Sequence, residues 1–175
     1  MYTKIPPPIV TLIFGLIIYF SKSFFPVYTL DNSNMVSIIF FIFGFSVLIT
    51  AIQSFKRHET TINPLNPDKA SSLVNSGIFS YSRNPMYLGM LFILLSISFK
   101  FNISGGIFIS FLFKIYITKF QIIPEEEAMV KLFGEEFIEY KNQTSSWTGD
   151  TQGYEYIHKN PLFDDFFIDF LHMLL

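Results

Sequence analysis

Apolar positions in this chain do not alternate with polar ones but gather into four nearly uncharged runs. The first extends from about Ile9 to Phe25, the second from about Met35 to Phe55, the third from Met86 to Phe99 and the fourth from about Ile103 to Ile123. Roughly 20 apolar residues carry a helix across the hydrocarbon core, so runs of this kind are how membrane-spanning helices are written. The third run is short by that measure. Its helix is expected to begin within the Asn84-Pro85 turn, to tilt, or to lie partly inside the bundle. Lys4 and three prolines precede the first run and no small-residue cleavage site follows it, which favours a retained helix over a cleaved leader. The pattern predicts an all-α integral membrane bundle of about four transmembrane helices.

Polar positions between and after the runs refine this picture. The stretch from Lys56 to Arg83 is rich in Asn, Pro and Ser, with turn signals at Asn63-Pro64 and Asn66-Pro67, and is expected to lie across one membrane face. After the fourth run, Pro124 and Glu125-Glu126-Glu127 read as the opening of a new helix. Met129, Val130, Phe133, Phe137 and Tyr140 then form an apolar stripe, with Glu127 and Lys131 spaced for an ion pair, which predicts one amphipathic helix packed back on the bundle. Residues 1–147 are expected to form one membrane domain, and residues 148–175 a tail without an assignable role.

Charge adds an orientation. Lys56, Arg57, Lys69 and Arg83 lie between the second and third runs, with Lys4 on the same side, whereas Lys22 and Lys100 lie on the other. The positive-inside rule therefore places both termini, the middle loop and the amphipathic helix in the cytoplasm. Lys114 and Lys119 fall in the cytoplasmic half of the fourth run, where snorkelling to the interface is the preferred reading, although Lys114 is deep enough to face an interior cavity instead.

Composition narrows the function. Half of the 175 residues are hydrophobic, 15% are charged and 23 are Phe, more than one soluble core of this size needs. The net charge of −2, without a basic block, argues against nucleic acid as a partner. Without cysteine there is no thiolate chemistry and no Cys-based zinc site, and His58, His158 and His172 lack metal-ligand spacing, so no metal is expected.

Two segments carry candidate chemistry. One is Ser76-Gly77-Ile78-Phe79-Ser80-Tyr81-Ser82-Arg83-Asn84-Pro85-Met86-Tyr87-Leu88-Gly89; the other is Glu125-Glu126 followed by Phe133-Gly134-Glu135-Glu136-Phe137 and Tyr140. A hairpin of the third and fourth runs would bring both to the cytoplasmic boundary, gathering Arg83, Asn84, Tyr87 and the glutamates around one small-molecule site. As an ordered set, Arg-Asn-Pro-x-Tyr-x-Gly, Glu-Glu, Phe-Gly-x-x-Phe and Tyr resembles the isoprenylcysteine carboxyl methyltransferase and phospholipid methyltransferase superfamily of integral membrane enzymes, over roughly Thr60 to Asn142.

That resemblance implies a methyltransferase using S-adenosylmethionine. It assigns cofactor contacts to Arg83, Asn84, Tyr87, Gly89, Glu125 and Glu126, with Arg83 and Glu126 also in catalytic roles, and implies a lipophilic acceptor reached from the membrane. An acceptor carboxylate needs no base, whereas an ammonium must first lose a proton, for which a Glu of the pair is the candidate. The acceptor class, a prenylcysteine-like carboxylate or a phospholipid amine, stays open, as does the oligomeric state. The family's Arg after the last Tyr is missing from Tyr140-Lys141-Asn142-Gln143-Thr144-Ser145-Ser146-Trp147, leaving Lys141 as its possible substitute.

Each residue also has a plainer reading. Arg83 and Asn84-Pro85 make an interfacial anchor and helix cap, Gly89 allows close helix packing, and the three glutamates match a helix dipole. Two other functions compete. An NADPH-dependent reductase of the sterol type resembles the first segment, but has His and Glu where this chain has Asn84 and Met90. A catalytically silent scaffold would be free to lose Tyr87, Glu125 and Glu126, and all three are present.

Overall fold

The computed structural model describes residues 5–25, 31–58 and 72–148, and every described regular element is helical. Helix α1 spans Pro7–Ser21, α2 Ser33–Arg57, α3 Pro85–Phe101, α4 Ile103–Ile117, α5 Ile123–Phe133 and α6 Glu135–Gln143, with a 3-10 turn at Gly77–Ser80. Most of the Asn- and Pro-rich loop, Lys4, His158, His172 and the tail from residue 149 onward lie outside the described residues.

Helix α3 is the centre of the bundle: α2 lies along it, and α1 packs against both α3 and α4. Its 17 residues, at about 1.5 Å each, fall short of the hydrocarbon thickness. Most of its side chains are buried, from Pro85 and Tyr87 through Leu94 and Leu95 to Ser98 and Phe99. Of the possibilities open to a short run, the helix starts in the Asn84-Pro85 turn and lies inside the bundle. Pro85 occupies its first turn, where a missing N–H costs nothing.

Close approach of α2 and α3 depends on a glycine pair. A Cβ on Gly44 would sit 2.8 Å from the Gly89 carbonyl oxygen, and one on Gly89 would sit 2.9 Å from that of Gly44. Outward faces stay apolar: Leu12 and Phe20 on α1 and Ile38, Phe41 and Ile42 on α2 are exposed, as expected of surfaces that meet lipid. Among the described residues, two helices are long and apolar enough to cross a membrane, α2 and the continuous helix Ile103–Phe133; α1 and α3 are apolar but shorter.

Asn102 alone connects α3 to α4, and its Oδ1 accepts from the Gly105 N–H at 3.2 Å while its Nδ2 donates to Ser21 Oγ at 3.1 Å. The third and fourth runs are therefore a tight antiparallel hairpin.

Two expectations about the far end of this hairpin are corrected. Pro124 does not begin a separate helix. Proline lacks an N–H and its ring crowds the carbonyl four residues back, but a five-residue π segment, Thr118–Ile122, absorbs the misfit, with the Ile123 N–H reaching back to the Thr118 carbonyl. Nor does one amphipathic helix run from Pro124 to Tyr140, because Gly134, at φ 56° and ψ −128°, ends α5 and starts α6 in a new direction. The apolar stripe survives the break: Phe137 and Tyr140 pack with Val74, Phe79 and Ala51, joined by Met129, Val130 and Phe133.

Candidate active site

The loop after the 3-10 turn, the start of α3, the first turn of α5 and the end of α6 meet at one end of the hairpin. Gly77, at φ 64°, turns the chain into the 3-10 segment and places the Phe79 carbonyl where the Tyr140 hydroxyl donates to it at 2.6 Å. Burial pushes the Tyr140 hydroxyl above its ordinary pKa, with Arg83 pulling it down and Glu126 pushing it up, so Tyr140 remains a donor.

Arg83 stands at the centre. Its Nε and Nη2 donate to Glu126 Oε1 at 3.1 and 2.9 Å, and its Nη1 donates to the carbonyls of Lys141, at 3.1 Å, and Thr144. Lys141 Nζ pairs with the other Glu126 oxygen at 2.9 Å. The three side chains are only 4%, 7% and 13% exposed for Arg83, Lys141 and Glu126, so this carboxylate pairs with both cations out of water. Beside them the Tyr87 hydroxyl donates to Glu125 Oε1 at 2.5 Å. The hairpin has brought the two motif segments into direct contact, as their order along the chain predicts.

Helix α6 leads into a strap, Thr144–Trp147, that folds over this cluster. The Ser145 carbonyl accepts the Arg83 backbone N–H at 2.9 Å, and Ser82 Oγ donates to the Ser146 carbonyl. Asn84 Nδ2 reaches the Ser146 carbonyl at 2.9 Å and Ser146 Oγ at 3.1 Å. Trp147 closes the strap by donating its indole N–H to Thr118 Oγ1, at 3.2 Å, in the π segment. The strap's hold on Arg83 was invisible in the sequence because it acts through backbone carbonyls. Its one visible mark was Trp147, the only tryptophan of the chain.

Several plainer readings change accordingly. Asn84 occupies the N-cap position of α3, but its side chain holds the strap instead of capping the helix. The helix running through Glu125–Glu127 is continuous, so no positive helix end exists there for three glutamates to match. Gly89 faces α2 rather than the cluster, and its visible role is helix packing. Lys114 does not snorkel outward: its side chain is buried, with Nζ 5.5 Å from the centre of the Trp147 ring. Glu127, Glu135, Glu136 and Glu139 are exposed, in keeping with a solvated face. His58, half-buried, pairs Nδ1 with the Ser54 carbonyl at 2.8 Å, as a packing residue does. No group of side chains suited to a metal occurs among the described residues.

An apolar helical bundle with a cluster of buried ion pairs at one end is the architecture of a membrane protein. Residues 33–136 match the family model of the phospholipid methyltransferases, a segment that includes Arg83, Asn84, Tyr87, Glu125 and Glu126 and more than half of the chain. The chain belongs to the phospholipid methyltransferase family, and methyl transfer to a lipid is the activity that membership implies. No curated protein and no solved structure matches it.

Proposed function

We propose that this protein transfers a methyl group from S-adenosylmethionine to a phospholipid amine at the cytoplasmic face of a membrane it crosses several times. The observation that carries the proposal is the meeting of Arg83, Glu126 and Lys141 beside Tyr87 and Glu125, all but Lys141 within the family match. S-adenosylmethionine supplies a methyl group on a sulfonium and offers the protein a carboxylate, an ammonium and an adenine to hold. The donor set fits that chemistry: Arg83 and Lys141 suit a carboxylate, Glu125 and Glu126 an ammonium, and Tyr87 and Phe133 an aromatic face.

The two glutamates divide their work. Glu126 is held at both oxygens by Arg83 and Lys141, which makes it the fixed anchor of the site. Glu125 is held at Oε1 by Tyr87, and among the described residues no partner holds its other oxygen. A phospholipid ammonium gives up its proton before its nitrogen can accept a methyl group, and Glu125 Oε2 is the acceptor for that proton. The remaining task is alignment and exclusion of water, for which the strap over Arg83 and the buried walls of α3 and α4 are suited.

Calorimetric titration of the detergent-solubilised protein tests the reading. S-adenosylmethionine is expected to bind and NADPH not to; binding of NADPH alone refutes it.

A further inference from the structure

The strap Thr144–Trp147 lies outside regular secondary structure, so its place over the site depends on the contacts its own residues make. Its first three residues serve the loop before α3. The Thr144 carbonyl takes Arg83 Nη1, the Ser145 carbonyl takes the Arg83 backbone N–H at 2.9 Å, and the Ser146 carbonyl takes Asn84 Nδ2 at 2.9 Å. The last residue points elsewhere. Trp147 is 5% exposed, belongs to the buried cluster that includes Ile117 and Ile122, and donates its indole N–H to Thr118 Oγ1 at 3.2 Å. Thr118 is engaged through both its backbone and its side chain. Its carbonyl accepts the Ile123 N–H, closing the π turn that leads into Glu125 and Glu126, while its hydroxyl holds the strap. A one-residue slip in that turn swings the residues that follow by about 100°, which would carry Glu126 off Arg83 and Glu125 off Tyr87. Segments of this kind recur at functional sites.

We propose that Trp147 and Thr118 are positioning residues for the methyl donor: their hydrogen bond sets the strap, and through it Arg83, against the glutamate pair. The inference rests on the methyl-transfer reading and names what keeps the cation and the carboxylates of that site in one geometry. Arg83 Nε and Nη2 lie on Glu126, but Nη1 is held by carbonyls at the end of α6 and in the strap. A strap that drifts therefore loosens one arm of the guanidinium and leaves the other two in place. A fork already fixed before the cofactor's carboxylate arrives does not have to be ordered on binding, and affinity gains by that saving. A side chain that only filled the core would act on stability alone, whereas a latch acts on the affinity of the folded protein.

Thr118→Val keeps the shape of the side chain and removes the acceptor, Thr118→Ser keeps the acceptor, and Trp147→Phe removes the donor from the other side. Affinity for S-adenosylmethionine is read by calorimetry in detergent. The strap's hold is read without cofactor, by the rate at which phenylglyoxal, an arginine-directed dicarbonyl, labels Arg83. Arg57, the other arginine of the chain, is exposed and serves as the standard within the same molecule. In Thr118→Val and in Trp147→Phe, affinity is expected to fall and Arg83 labelling to quicken relative to Arg57 by roughly three- to tenfold, with Thr118→Ser within about twofold of the unaltered protein. Thr118→Val should add nothing once Trp147 is replaced by Phe; effects that multiply overturn the shared contact. Affinity lost equally in Thr118→Ser overturns it too, and faster labelling at unchanged affinity overturns its part in cofactor binding. Two variants that break one contact from opposite sides keep the idea exposed to refutation if either misfolds. Failure of the unaltered protein to bind S-adenosylmethionine refutes the methyl-transfer reading, and labelling alone then decides the latch. Binding that is retained, with affinity and labelling indifferent to both substitutions, refutes the latch and leaves that reading standing.

Discussion

Replacing Glu126 by Gln keeps an oxygen for Arg83 but turns an amide N–H₂ toward Lys141, in place of the carboxylate oxygen now 2.9 Å from its Nζ. One charge-assisted hydrogen bond is worth about 1.5–3 kcal/mol, and breaking one side of a buried ion pair raises the loss toward ~3–5 kcal/mol. Arg83 retains the carbonyls of Lys141 and Thr144, which keeps the cost near the lower end of that range, at roughly 3 kcal/mol. Lys141→Met alone leaves Glu126 on Arg83 and should cost about 1.5–3 kcal/mol. In the double variant the Lys141 ammonium is gone together with the carboxylate it pairs with. Its loss is therefore expected to fall short of the sum of the single losses by about 1.5–3 kcal/mol. Reversible unfolding of the four proteins in mixed micelles measures this coupling. Single effects that add to within ~0.5 kcal/mol would show that Glu126 and Lys141 act independently, contrary to the geometry.

Arg83→Ala and Glu126→Ala are expected to weaken S-adenosylmethionine binding by roughly ten- to a hundred-fold in calorimetry, while the exposed Glu139→Ala leaves it unchanged; equal affinities for all three would misplace the site. Gly89→Ala should lower stability by about 1–3 kcal/mol through overpacking against Gly44 and Leu48, and an unshifted unfolding midpoint would contradict the α2–α3 contact. Acceptors with one headgroup and progressively shorter chains should lose efficiency, since each buried CH₂ contributes about 0.8 kcal/mol to partitioning. A short, freely soluble acceptor that reacts as well as its long-chain form would place acceptor binding on the water side.

The apolar runs located the helices to within a few residues because lipid-facing and core-facing positions are both hydrophobic, and length alone sets the boundaries. The ordered motif located the cluster, since Arg83, Tyr87, Glu125 and Glu126 use side chains whose chemistry can be read from their type. Where the reading failed, local signals were outweighed by geometry. Pro124 is a strong helix-start residue, yet an upstream π segment lets the helix pass through it, and Gly134, lying inside an apolar stripe, gave no periodic warning of the break. For Lys114, snorkelling was preferred over an inward-facing side chain because a sequence shows depth along a helix but not which face points inward.

The strap has a consequence for the order in which the protein is made. Arg83 emerges in the middle of the chain, and Glu126 more than forty residues later, yet two of the carbonyls that hold the guanidinium belong to residues 141 and 144 and the indole that pins the strap to residue 147. A nascent chain that has folded its hairpin and paired Arg83 with Glu126 still lacks the oxygens that fix the guanidinium's remaining arm. On the proposed reading, cofactor affinity matures only as the strap seats, so that partly synthesised bundles, already resident in the bilayer, do not compete with finished ones for the methyl donor.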